Sequence, residues 1–181
     1  LSLHDALPIL GAQIDLDMPQ VTLQGYPEAG ATSTFRPDRV EIARAGQSAV
    51  GVDEPRKRFR SPRTLAWWTE HEMLYFAGYV LWNYPQLPFL LLQPGLTFAD
   101  AGTTERAGET WQKVAVRFPE GFPTHSPEQT FYFGPDGLLR RHDYWVGIMG
   151  KFARGARLIH SYADVGGLQL ARHIEMKLGA W

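Results

Sequence analysis

The run Arg140-Arg141-His142-Asp143-Tyr144 alternates polar, titratable side chains along an otherwise aromatic stretch, and it is where this sequence could carry acid–base chemistry. An imidazole titrates near pH 6.5, so it can give or take a proton at neutral pH. Successive residues of a strand point to opposite faces. A strand here puts Arg140, His142 and Tyr144 on one face and Leu139, Arg141, Asp143 and Trp145 on the other, so His142 and Asp143 cannot pair directly. In that arrangement His142 and Tyr144 would orient or protonate a ligand in a concave pocket, and Arg140 would hold an anionic group. A third candidate is His125, in Thr124-His125-Ser126-Pro127-Glu128, because loops between strands often carry functional groups. Each has a plainer reading that stays open: cross-strand pairing on a solvated face for the first group, and a turn in which Thr124 or Ser126 bonds local backbone for the second.

Other chemistries find little support. The sequence has no phosphate loop, dinucleotide fingerprint or nucleophile elbow, and His71-Glu72-Met73-Leu74-Tyr75 has Tyr where a zinc-protease motif needs its second His. Asp15-Leu16-Asp17 reads as a surface pair. His160 and His173 would lie opposite each other across a Gly166-Gly167 turn, without a third ligand in view. No metal and no cofactor is expected. The 181 residues include no Cys, which excludes a disulfide framework, a thiolate zinc site and a cysteine nucleophile. Lys and Arg number 18 against 19 Asp and Glu, with an isoelectric point near 6.7, so the basic patch of a nucleic-acid binder is missing. No apolar run reaches the roughly 18 residues that a membrane span needs.

The aromatic residues are the stronger clue. Trp68, Tyr75, Tyr79, Trp82, Trp111 and Tyr132 belong to an inventory larger than a small core requires. A helix with aromatics on more than one side cannot bury them all against one sheet, so some should line a second apolar surface, a cavity for a lipophilic or aromatic molecule. Asn83 and Arg140 would add polar contacts there.

These side chains need elements to position them. Gln20 to Tyr26 and Thr32 to Ile42 are punctuated by Pro27, Gly30 and Pro37 as a β-meander, and Arg56 to Phe59 offers an edge. Stripes at spacings of three and four predict a helix from Thr64 to Trp82, started by Ser61-Pro62 and stopped by Pro85. Leu87 to Leu92 reads as a buried loop or strand. Thr110 to Phe118 alternates Val114, Val116 and Phe118 against Lys113 and Arg117, a half-buried strand. Thr130 to Phe133 and Leu138 to Trp145 form a hairpin about Pro135-Asp136-Gly137, and Arg157 to Ala163 with Leu168 to Lys177 form a second one about Gly166-Gly167. The fold class is α+β, mainly antiparallel β: a curved half-barrel sheet capped by a helix.

Leu1 to Ile9 reads, residue for residue, as the translated end of a common short-read sequencing adapter. The segment is expected to be foreign, leaving 10–181 as a single half-barrel domain whose natural N-terminus is missing. The compartment therefore stays open between cytoplasm and periplasm.

Phe131 to Tyr144, followed by Gly150, Ser161-Tyr162-Ala163-Asp164 and Gly167-Leu168-Gln169-Leu170-Ala171, resembles the closing strands of the LolA-like lipoprotein-carrier superfamily. Trp82-Asn83-Tyr84, Gly108-Glu109-Thr110-Trp111, Phe118-Pro119, Thr124-His125-Ser126 and Arg140 to Tyr144 together resemble an uncharacterised bacterial family. Both resemblances imply the half-barrel fold. Two functions are then expected, without an oligomeric state: a binding module for a lipophilic or aromatic small molecule, or a small-molecule enzyme using His125, His142 and Tyr144.

Overall fold

The structure is a computed structural model that describes residues 9–150 and 152–179. Of the adapter-like segment only Ile9 lies among them. The chain divides into two compact units, Leu1–Gln86 and Leu87–Trp181.

In the first unit, five short strands pair antiparallel in sequence order: β1 (Gly11–Ile14), β2 (Val21–Gln24), β3 (Thr32–Phe35), β4 (Arg39–Ala43) and β5 (Val50–Asp53). Period-two alternation buries Val21, Leu23, Ser33, Phe35, Val40 and Ile42 on one face. The helix α2 (Glu70–Gln86) packs on β2, β3 and β4; the shorter helix α1 is Pro55–Arg58. Gly78 sits where the helix comes nearest the sheet, since a Cβ there would stand 2.2 Å from the Phe35 ring.

Three expectations fail here. Arg56 to Phe59 is not an edge strand: Pro55 opens α1, and the charged run after it has no alternation to bury. The long helix starts at Glu70, not Thr64, because Ser61-Pro62 opens only a single 3-10 turn, Pro62–Leu65. The true start is a capping box. The Thr69 N–H donates to Glu72 Oε2 at 2.8 Å, and the Glu72 N–H faces Thr69 Oγ1 at 3.4 Å. Arg63 closes on the same carboxylate at 2.5 and 3.0 Å. Burial alone would raise the fully buried Glu72 carboxyl, but the hydrogen bonds from Arg63 and Thr69 outweigh it and hold the pKa below its ordinary value. Pro85 falls in the last turn without stopping it, while Asn83 and Gln86 donate to the carbonyls of Tyr79 and Trp82.

Most aromatic residues of this unit pack on one another, while Trp67 stays exposed. Phe35, Tyr75 and Tyr79 pack edge to face in sequence at 5.6 and 5.5 Å, and Phe59 and Trp68 fold over Tyr75 and Phe76 at 5.9 and 5.1 Å. The second apolar surface is thus the 55–68 segment wrapping the helix.

The second unit opens with a 3-10 turn, Phe89–Leu92, where the sequence suggests a loop or strand. It continues as a six-stranded antiparallel sheet in sequence order: β6 (Thr97–Arg106), β7 (Glu109–Arg117), β8 (Glu128–Phe133), β9 (Leu139–Trp145), β10 (Arg154–Val165) and β11 (Leu168–Leu178). The hairpin turns are those expected. Gly134 N–H meets the Leu138 carbonyl at 2.9 Å with Gly137 at φ 78°, and Gly166 and Gly167 form the two-residue turn at φ 62° and 87°. Mainly antiparallel β with few helices is therefore the fold.

Gly78→Ala should cost about 1–3 kcal/mol in urea denaturation by pushing the Phe35 ring, and Phe35→Leu should return part of it. Glu72→Gln should cost a similar amount, about 1–3 kcal/mol, by undoing the capping box and the Arg63 pair. A change below about 0.5 kcal/mol in either would overturn the corresponding contact.

Candidate functional site

A bulge decides which side chains face where in the second unit. From Gly134 opposite Leu138, simple counting sets Tyr132 against Arg140 and Thr130 against His142. The register instead pairs Phe133 with Leu139 and Tyr132 with Arg141, so Arg140 is the extra residue. Arg140 is held by Asp136 at 2.7 Å and Glu109 at 3.4 Å, and its guanidinium lies over Gly134. The Arg140 guanidinium in turn holds the Asp136 carboxyl below its usual pKa. The expected face of Arg140, His142 and Tyr144 is corrected to Leu139, His142 and Tyr144, all buried.

That buried face brings the three proposed catalytic residues together. His142 pairs with Phe131, their rings stacked at 4.3 Å, and lies opposite the buried Arg157 of β10. Tyr144 tilts against His142 at 4.9 Å and stacks flat on His125 at 4.0 Å, with 4° between the planes. It lies over Gly155, where a Cβ would stand 2.2 Å from the ring. His125 is only 3% exposed, because the loop that carries it folds onto the sheet. Its carbonyl accepts from Gly147, and Ser126 Oγ accepts from Trp145 at 3.2 Å. Neither histidine is on a solvated face.

Gln129 links the loop to His142. Its Nε2 donates to Thr124 Oγ1 at 2.8 Å and to the Ser126 carbonyl at 2.7 Å, which turns Oε1 toward His142 Nε2 at 2.5 Å. An amide oxygen only accepts, so Nε2 carries the proton and Nδ1 is left bare. Among the described residues no hydrogen bond reaches Nδ1. Burial, then the charges of His125 and Arg157, lower the His142 pKa well below 6.5 and keep the ring neutral.

The opposite face is open and concave. In a flat sheet the edge strands β6 and β11 would stand roughly 24 Å apart. Yet Arg106 of β6 and Lys177 of β11 line one cavity of about 230 Å³, with Arg141, Ala156 and Leu158. The sheet is therefore rolled into a trough. Beside that cavity a groove of about 500 Å³ crosses from β6 to β10. Small side chains in register, Ala99 with Ala115 and Ala115 with Thr130, form its floor. Trp145 flanks it, and the Arg154 guanidinium stacks over the Trp145 ring at 4.5 Å.

The proposed ligand-binding residues are divided between the two units. Trp68, Tyr75, Tyr79, Trp82 and Asn83 belong to the first unit, where Tyr75, Tyr79, Trp82 and Asn83 are buried. The Trp68 and Trp82 indoles donate to the carbonyls of Thr64 and Asp15. Trp111, Tyr132 and Arg140 belong to the second unit. Trp111 donates to Glu109, and Tyr132 donates to Asp143 Oδ2 at 2.9 Å beneath the Arg141 guanidinium. Burial, then that bond to Asp143, push the Tyr132 pKa up to about 12. Arg106, Arg141, Trp145, Arg154 and Lys177 were missed by sequence reading: β6 has no alternation, and only a bulge turns Arg141 and Trp145 into the trough. His160 and His173 lie 5.0 Å apart with His160 bonded to Glu175, and among the described residues no three His, Cys, Asp or Glu side chains converge to hold a metal. No helix among the described residues is long and apolar enough to cross a membrane.

No family profile matches the chain, and no curated protein matches it. Among solved structures, the chain is similar to a DUF1329 family protein from Desulfovibrio piger (10% identity, TM-score 0.49) and to a LolA superfamily protein from Nitrosomonas europaea (8% identity, TM-score 0.49). Each similarity covers 87% of this chain but only 62% and 63% of the other.

The neutral, buried His142 makes stability depend on pH. An unfolded chain protonates this ring near pH 6.5, and the folded chain does so only well below, so unfolding takes up a proton between the two values. Stability should fall as pH drops below about 6.5, by up to about 1.4 kcal/mol per pH unit from this group. His142→Phe should remove that part of the slope in urea titrations across this range, and an unchanged slope would show that His142 is not its source.

Proposed function

We propose that the protein is a binding module for a lipophilic or aromatic small molecule, held in the trough of the six-stranded sheet. The observation that supports this best is the groove of about 500 Å³, a volume within the range of small-molecule sites. Its floor of Ala99, Ala115 and Thr130 leaves room over five strands, and Trp145 offers flat apolar surface at one side. The acid–base alternative would need a ligand on the opposite face, among His125, His142 and Tyr144, where the rings pack on one another.

A neutral fluorescent probe, N-phenyl-1-naphthylamine, should bind with a blue-shifted, enhanced emission at one site per chain. Ala115→Trp fills the floor and should weaken binding at least about tenfold while the far-UV circular dichroism spectrum is kept. Trp145→Ala should weaken it by a smaller factor. Binding that is indifferent to Ala115→Trp would refute the trough as the site.

A further inference from the structure

We infer that the natural ligand of the trough is an anionic amphiphile, its carboxylate held in the smaller cavity by Arg106, Arg141 and Lys177 and its apolar chain lying along the groove. This rests on the trough being the binding site. The smaller cavity is lined by those three cations and by Ala156 and Leu158, with no acidic residue among its walls. Arg106 forms no ion pair among the described residues, and Lys177 has only Glu175 at 3.4 Å. Asp143 grips the Arg141 guanidinium at 2.6 and 2.9 Å, which fixes its plane at the cavity wall.

Two of these cations have a carboxylate beside them, Asp143 for Arg141 and Glu175 for Lys177, and Arg106 has none among the described residues. Arg106 and Lys177 come from opposite edges of the sheet and meet only because it rolls, so the cavity of about 230 Å³ keeps a net positive charge. A carboxylate placed there would balance that charge and accept from the guanidinium groups. The two apolar walls suit the first methylenes of a chain. Ala156 lies opposite Asp143, which also lines the groove, so the cavity and the groove adjoin. From Arg141 to Trp145 the strand covers four residues, roughly 13 Å, near the length of a ten-carbon chain. Arg154, at the far end, is the competing position for an anion, but it lies against the Trp145 ring.

Isothermal titration with decanoate and with 1-decanol at about pH 7.5, where the acid is ionised, separates the two readings. Decanoate should bind at least about tenfold more tightly than 1-decanol. Arg106→Gln with Lys177→Gln should close that gap to within about threefold and leave the 1-decanol affinity unchanged, whereas Arg154→Gln should leave the gap in place. If the double variant misfolds, the single exposed change Lys177→Gln should still narrow the gap. Equal binding of the two probes would overturn the anion subsite while keeping the trough. A gap that survives loss of Arg106 and Lys177, or that vanishes with Arg154→Gln, overturns the assignment of these residues. Failure of both probes to bind overturns the trough reading and this inference with it.

Discussion

One extra residue in β9 governs the chemistry of the second unit. Without Arg140 as a bulge, the hairpin about Gly137 would carry His142 and Tyr144 onto the face of Thr130 and Ala115, into the trough. With it, His142 shares a face with Phe131 while Arg141, Asp143 and Trp145 turn outward. A one-residue slip exchanges every side chain between faces, so the same sequence would otherwise describe an acid–base pocket. The bulge is anchored on three sides, by Asp136, by Glu109 and by the bare backbone of Gly134, which leaves room for the guanidinium. Arg140 thus holds geometry where its type suggested ligand contact.

The two faces then follow different electrostatic rules. On the packed face His142 stays unprotonated, and Gln129 spends both amide hydrogens on the loop and its oxygen on the ring. Flat stacking of His125 on Tyr144 and of His142 on Phe131 fills the remaining volume. On the concave face charges remain solvated, so cations can collect there without a full complement of carboxylates. A buried arginine beside His142 would cost much more if the ring were charged, which is why neutrality of that ring and the packing of the face belong together.

Much of this was legible in the sequence, and the rest was hidden for identifiable reasons. Turn chemistry was readable, because Pro135-Asp136-Gly137 and Gly166-Gly167 each demand a particular backbone conformation. Alternation exposed β7, since Val116 is buried and Arg117 is not. Alternation failed for β6, which is exposed on nearly every residue and so bears no apolar pattern. The start of α2 was written as Thr69-Glu70-His71-Glu72, a capping signal outweighed by the more conspicuous Ser61-Pro62. The bulge left no compositional trace. Residue types alone could not say that Arg140, and not Arg141, would be the one left over.

The aromatic residues show how an inventory misleads when geometry is unknown. The excess of rings on α2 pointed to a cavity, on the premise that one sheet cannot cover all sides of a helix. That premise holds, but the covering is supplied by the chain itself: Phe59 and Trp68 close over the side of α2 that the sheet leaves bare. Free volume arises instead where side chains are smallest, along Ala99, Ala115 and Thr130, because a rolled sheet opens a groove only if its concave floor is not filled from within. In this sheet the free volume lies over a row of small residues in cross-strand register, flanked by Trp145. The concentration of large residues marks the core.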